Sequence, residues 1–270
     1  MQTVLNLDDI KHQIDNGGII MNLRKKLVAG FLCLAIVGLA GCSQKADDKK
    51  EETNNTQTTE QAKDDSNKEE KKEEKKEEKK ADEVNGVSLD NPIKVDKEAK
   101  KITVLSSVNG KYFTENTRHA SVNTDGSNGA KSVLTAYATP EDFYNALIEI
   151  GAKPGENMTP DNAAETHVEG SKIGATVTWE GAGKDYDINE VITDSNGKKI
   201  DFRFGGNLER AKNKKTGCLT CLDSCPVGII SNTTYTNGAV EKRNEVKFTG
   251  NPDVLPEDGT YVAVTYTLED

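Results

Sequence analysis

The chain has 270 residues, 45 acidic against 35 basic side chains and a formal charge of −10. With no clustered basic patch, that balance argues against nucleic acid or anionic lipid as a partner, because phosphate recognition needs concentrated positive charge. Hydrophobic residues make up 34% of the chain, and their uneven distribution confines any buried core to the region after about residue 83, the size of one ordinary domain.

Residues 1–20 carry Asp8, Asp9 and Asp15 ahead of the first basic cluster, an order unlike that of an export signal. Met21 is therefore read as the true start. Gly17-Gly18 requires GGN-GGN codons, which can contain a purine-rich ribosome-binding sequence, so residues 1–20, His12 included, are read as translated leader. Residues 21–41 form the export signal: a basic stretch ending in Arg24-Lys25-Lys26, then apolar residues 27–39, too short to span a membrane comfortably. Leu39-Ala40-Gly41-Cys42 resembles the lipobox of bacterial lipoproteins. That resemblance implies diacylglyceryl transfer to the Cys42 thiol, cleavage before it, and acyl chains that hold the mature protein on the extracytoplasmic face of the cell membrane.

Residues 42–83 are dominated by Lys, Glu and Asp and read as a disordered linker, with too little apolar surface to offset the entropy of ordering. The Glu-Glu-Lys-Lys repeat from Glu69 to Lys80 does not rescue a helix. Its period of four places Glu69 beside Glu73 and Lys71 beside Lys75, and such like-charge pairs oppose helix formation.

Residues 84–270 form the folded domain. Ile102, Val104 and Val108 follow the turn-prone Asp96 to Lys101, predicting an opening hairpin, and Lys131 to Ala138 reads as a further strand. The firm helix spans about 140–150: Thr139 caps it, Pro140 takes the first position, Glu141 and Asp142 fill the first turn, Phe143, Ala146, Leu147 and Ile150 line one face, and Gly151 ends it. Strand alternation returns at Ile173 to Trp179, at Ile200, Phe202 and Phe204 after the Asp194-Ser195-Asn196-Gly197 turn, and at Val262 to Leu268. The expected fold class is α+β: a strand-rich single domain with one firm helix and a cysteine-rich loop, without the βα alternation of a nucleotide-binding fold. Gly205-Gly206 reads as a turn and not a phosphate loop.

Of five cysteines, Cys33 leaves with the signal and Cys42 takes the lipid; Cys218, Cys221 and Cys225 remain, in Gly217 to Gly228. Three thiols cannot complete an intramolecular disulfide framework, and their spacing on a tight loop lets them converge on a metal. A disulfide plus a spare thiol, or inert thiols, are the alternatives. The run Cys218-Leu219-Thr220-Cys221-Leu222-Asp223-Ser224-Cys225-Pro226-Val227-Gly228 is similar to the last three cysteine positions of a bacterial ferredoxin motif, with Lys215 where the first cysteine would stand.

Over the folded part the chain resembles the YdjY-type domain of exported bacterial proteins. The segments that carry this are Asn109 to Phe113, Thr117-Arg118-His119, Phe143 to Leu147 with Gly151 to Gly155, and Cys218 to Gly228. The resemblance implies exported location and domain identity; family members are often labelled iron–sulfur or ferredoxin-like from the cysteine run. The export route favours a metal acquired outside, such as zinc, or plain thiol chemistry, over a cluster. Clusters are inserted in the cytoplasm and travel in folded proteins behind a twin-arginine signal, whereas this signal offers Arg24-Lys25-Lys26. Three thiolates want a fourth ligand, and His119 is favoured over His167, which lies in the polar stretch Asp161 to Gly170.

The expected function is thus a membrane-anchored redox or metal-binding lipoprotein with an iron–sulfur cluster or zinc at Cys218, Cys221, Cys225 and His119, and with a redox protein as partner. The alternative is a non-catalytic surface module that binds a solute or polymer, with a structural cysteine loop. An enzyme using Arg118 and His119 ranks last, since no nucleophile, base and orienting group are recognisable together. The carboxylates of Asp185 to Glu190 and Asp194 to Asp201 lack the periodicity of a calcium loop.

Overall fold

The computed structural model describes residues 82–269. The leader, the signal with its lipobox, Cys42 and nearly all of the charged linker lie outside the described residues.

The domain opens with β1 (Ile93–Asp96) and β2 (Lys101–Val108), an antiparallel hairpin, and Val84 and Val87 ahead of it pack with Leu105 and Ala263. After a single 3₁₀ turn come β3 (His119–Asn123) and β4 (Ser132–Ala136), then α1 (Pro140–Glu149) and β5 (Lys172–Trp179). Short elements follow: β6 (Tyr186–Asp187), α2 (Ile188–Val191), β7 (Ile192–Asp194), β8 (Phe202–Phe204) and α3 (Leu208–Lys214). The chain ends through β9 (Cys218–Cys221), β10 (Ile230–Asn232), β11 (Phe248–Gly250) and β12 (Tyr261–Glu269).

These strands correct the expected fold class: the domain is a closed β-barrel and mostly β, not α+β. The hydrogen-bonded order β2-β12-β5-β8-β10-β9-β3-β4 closes because β4 also pairs with β2, through Ser106 and Ala136, Ser107 and Thr135, Val108 and Leu134. Closure removes the sheet edges that would otherwise stay unpaired. It depends on β2 being long enough to pair with β1 near its start and β4 near its end, while β12 covers its other side. The second correction concerns the cysteines: Cys218 and Cys221 stand in a strand, and only Cys225 is on a loop. Among the described residues no helix is long and apolar enough to cross a membrane.

Helix α1 forms as its sequence requires. The Thr139 side chain accepts from the Asp142 amide at 3.1 Å, Pro140 sits at the start, and Gly151 takes φ +89° just past the end. Phe143 and Leu147 are fully buried in the main core with Ile102, Val104, Val177, Phe204 and Val264. The Phe143 ring lies 4.7 Å from that of Tyr266 on β12, and Tyr144 meets Phe204 of β8 edge-on at 5.2 Å. Aromatic contact of this kind adds to area burial in fixing the helix on the barrel strands. The elements β3 and β9 are buried along their whole length, with no solvent side to impose alternation.

Candidate metal centre

His119 opens β3, and Cys218 and Cys221 are the two ends of β9. The strands run antiparallel with His119 opposite Cys221 and Val122 opposite Cys218. On a regular strand, residues three apart face opposite sides. Here the register slips twice, between His119 and Ser121 and again between Ser121 and Val122, and irregularities of this type re-aim side chains. The outcome is convergence: one atom each from His119, Cys218 and Cys221 lies within 4.8 Å of the other two, and all three residues are buried. His119 Nδ1 is 3.6 Å from Cys218 Sγ, and Asn128 approaches the same sulfur with its amide at 3.8 Å.

Cys225 stands outside this trio but next to it. Its thiol hydrogen-bonds with Cys221, its Sγ accepts from the Gly228 amide at 3.3 Å, and its own amide donates to Ser231 Oγ at 3.3 Å. All three cysteines are free.

The electrostatics favour thiolate at Cys218 and Cys225. Cys218 is held well below the usual thiol range, chiefly by its hydrogen bond with Cys221 and also by His119, against burial. Cys225 is lowered to about 7 by Cys221 and by the Arg118 cation, again against burial. Cys221, between them, is pushed well up, since it hydrogen-bonds with both neighbours and ionises last. Arg118 forks onto the Asp223 carboxylate, with Nε at 3.0 Å, and Asp223 takes a third bond from the Gly238 amide at 2.9 Å. Burial works against charge on both groups. The mutual attraction, and for Arg118 the nearby Cys225 and Cys221, keep the guanidinium firmly charged.

The two histidines are thereby separated. His119 joins the cysteines, whereas His167 is exposed and bonded through Nδ1 to the Thr233 carbonyl. Lys215 is exposed and left-handed just past the end of α3, so no fourth thiolate occupies the ferredoxin-like first position. Sequence reasoning missed Asp223, Asn128 and the side chains that hold the cysteine loop. Only Asp223 carried a signal, as a carboxylate inside an otherwise apolar and thiol-rich run; Asn128 lies in a glycine-rich turn with nothing to mark it.

Residues 93–267 match the YdjY domain. The chain belongs to the YdjY family. It is 49% identical over 244 residues, 90% of this chain and 95% of the other, to a protein described as uncharacterized protein YdjY of Escherichia coli (strain K12). No solved structure matches the chain. In this YdjY domain, the donor set of neutral imidazole and thiolate suits soft or borderline metals, so His119, Cys218 and Cys221 could hold a metal ion. Around a single zinc with sulfur at about 2.3 Å, tetrahedral ligand atoms lie about 3.8 Å apart, whereas an iron–sulfur cluster inserts its own atoms and spreads its ligands further.

Proposed function

We propose that this protein is an extracytoplasmic, membrane-tethered lipoprotein whose barrel binds a single metal ion, zinc foremost, through Cys218, Cys221 and His119, with Cys225 as the fourth ligand. The observation that carries the metal reading is the burial and convergence of His119, Cys218 and Cys221 within 4.8 Å. Buried thiols beside a cation and an imidazole are far better suited to a metal than to solvent-facing chemistry. The tether rests on Leu39-Ala40-Gly41-Cys42 behind a basic and apolar stretch.

The test is elemental analysis of the full chain, expressed with its own signal and extracted from membranes with detergent, followed by cobalt substitution. One equivalent of zinc, thiolate-to-cobalt charge transfer, and loss of both in Cys218→Ser are the expected results. Iron with acid-labile sulfide would replace the single ion by a cluster. Recovery of three titratable thiols with no metal would overturn the reading in favour of a solute-binding or interaction module. Recovery of the chain in the soluble fraction would overturn the tether independently of the metal.

A further inference from the structure

The loop that carries Cys225 is held in shape by side chains that touch no other candidate ligand. Asn207 sits just before α3 in the left-handed region at φ 60° and is 4% exposed. Its amide nitrogen donates to the Cys225 carbonyl at 3.1 Å and to the Gly228 carbonyl at 2.9 Å. Arg210, one turn along α3, donates through Nε to the Pro226 carbonyl at 2.5 Å and through Nη2 to the Met158 carbonyl, and also to Asn207 Oδ1. Three carbonyls of the segment Cys225 to Gly228 are thus gripped from one side. On the other side the same segment wraps a sulfur: a Cβ on Gly228 would fall 2.7 Å from Cys221 Sγ, and the Gly228 amide points at Cys225 Sγ.

In a metal site whose loop takes its shape only from the ion, the binding energy is spent on folding, and the apoprotein unravels. Here the loop shape has its own protein partners. We infer that Asn207 and Arg210 are positioning residues that preform the Cys225 loop around the Cys221 sulfur, so that the site fills and empties while the barrel stays folded. This rests on the metal reading above and adds that the ion is not the structural staple of the barrel. The two residues act through carbonyls, as outer-sphere groups that orient a ligand without touching the ion.

The experiment uses the full chain with zinc and with cobalt as probes. The metal-free wild type is first examined by circular dichroism and melting; it retains β-rich signal and a cooperative transition, and loss of either overturns the inference. Asn207→Gly keeps the left-handed backbone while removing both donors, and Arg210→Gln removes the guanidinium. Each is expected to lower zinc affinity in chelator competition by about 10–100-fold and to weaken cobalt–thiolate charge transfer as Cys225 leaves the ion. Unchanged affinity and spectrum in folded variants overturn the inference. If a variant does not fold, the metal-free wild type and the other variant still decide. Wild type that takes up neither metal overturns the metal reading itself, a failure distinct because it appears before any variant is made.

Discussion

His119, Cys218 and Cys221 are carried by two strands whose backbone ladder is part of the closed barrel, whereas Cys225 hangs on a loop whose carbonyls are gripped by Asn207 and Arg210. The strand half inherits the rigidity of the core. The loop half depends on a few polar bonds, each worth about 1–3 kcal/mol when a charged or buried partner is lost. Most of the cluster is therefore fixed by strand backbone, and the position of Cys225 by side-chain bonds to its loop.

The largest expected effect comes from the ion pair that bolts the two halves together. Arg118→Ala leaves Asp223, fully buried, without its partner, and the expected cost is about 3–5 kcal/mol in denaturant unfolding of the metal-free protein. A cost under about 1 kcal/mol would show that the halves are held independently. Next, Cys221→Ser is expected to lower zinc affinity beyond the roughly 100-fold upper range of outer-sphere changes, since Cys221 touches both other thiols. Equal losses for Cys221→Ser and Cys225→Ser would erase the distinction between strand and loop, whereas Cys225→Ser is expected to cost about 100-fold in the same chelator competition, no less than Asn207→Gly and Arg210→Gln, which act through it. Gly228→Ala forces a methyl against the Cys221 sulfur and is expected to destabilise by about 1–3 kcal/mol, measured by the urea midpoint. The smallest effect is expected from His167→Ala: metal stoichiometry and affinity stay at wild-type values, because that ring is exposed and bonded to Thr233.

Legibility followed local physics. Helix α1 was readable residue by residue because cap, proline, first-turn acids, apolar stripe and terminal glycine all act within a few positions. β2, β4, β5, β8 and β12 were readable from β-rich runs, with alternation clearest where one side is core and the other wet. β3 and β9 were not, since both of their sides are buried and no alternation exists to detect. The same lack of pattern led the cysteine run to be read as a loop. For the site, the chemistry of residue types pointed to three cysteines and His119, while Asp223, Asn207 and Arg210 stayed hidden because their partners lie far along the chain.

By itself the sequence determined which residues could carry metal chemistry and where the main helix starts and stops. Those are properties of composition and of short windows. Only the tertiary structure decided that the sheet closes into a barrel, that two register slips turn Cys218 and Cys221 toward His119, and that the Cys225 loop is held by α3. Closure, register and loop support arise from pairings between segments far apart in the chain, which no local pattern specifies.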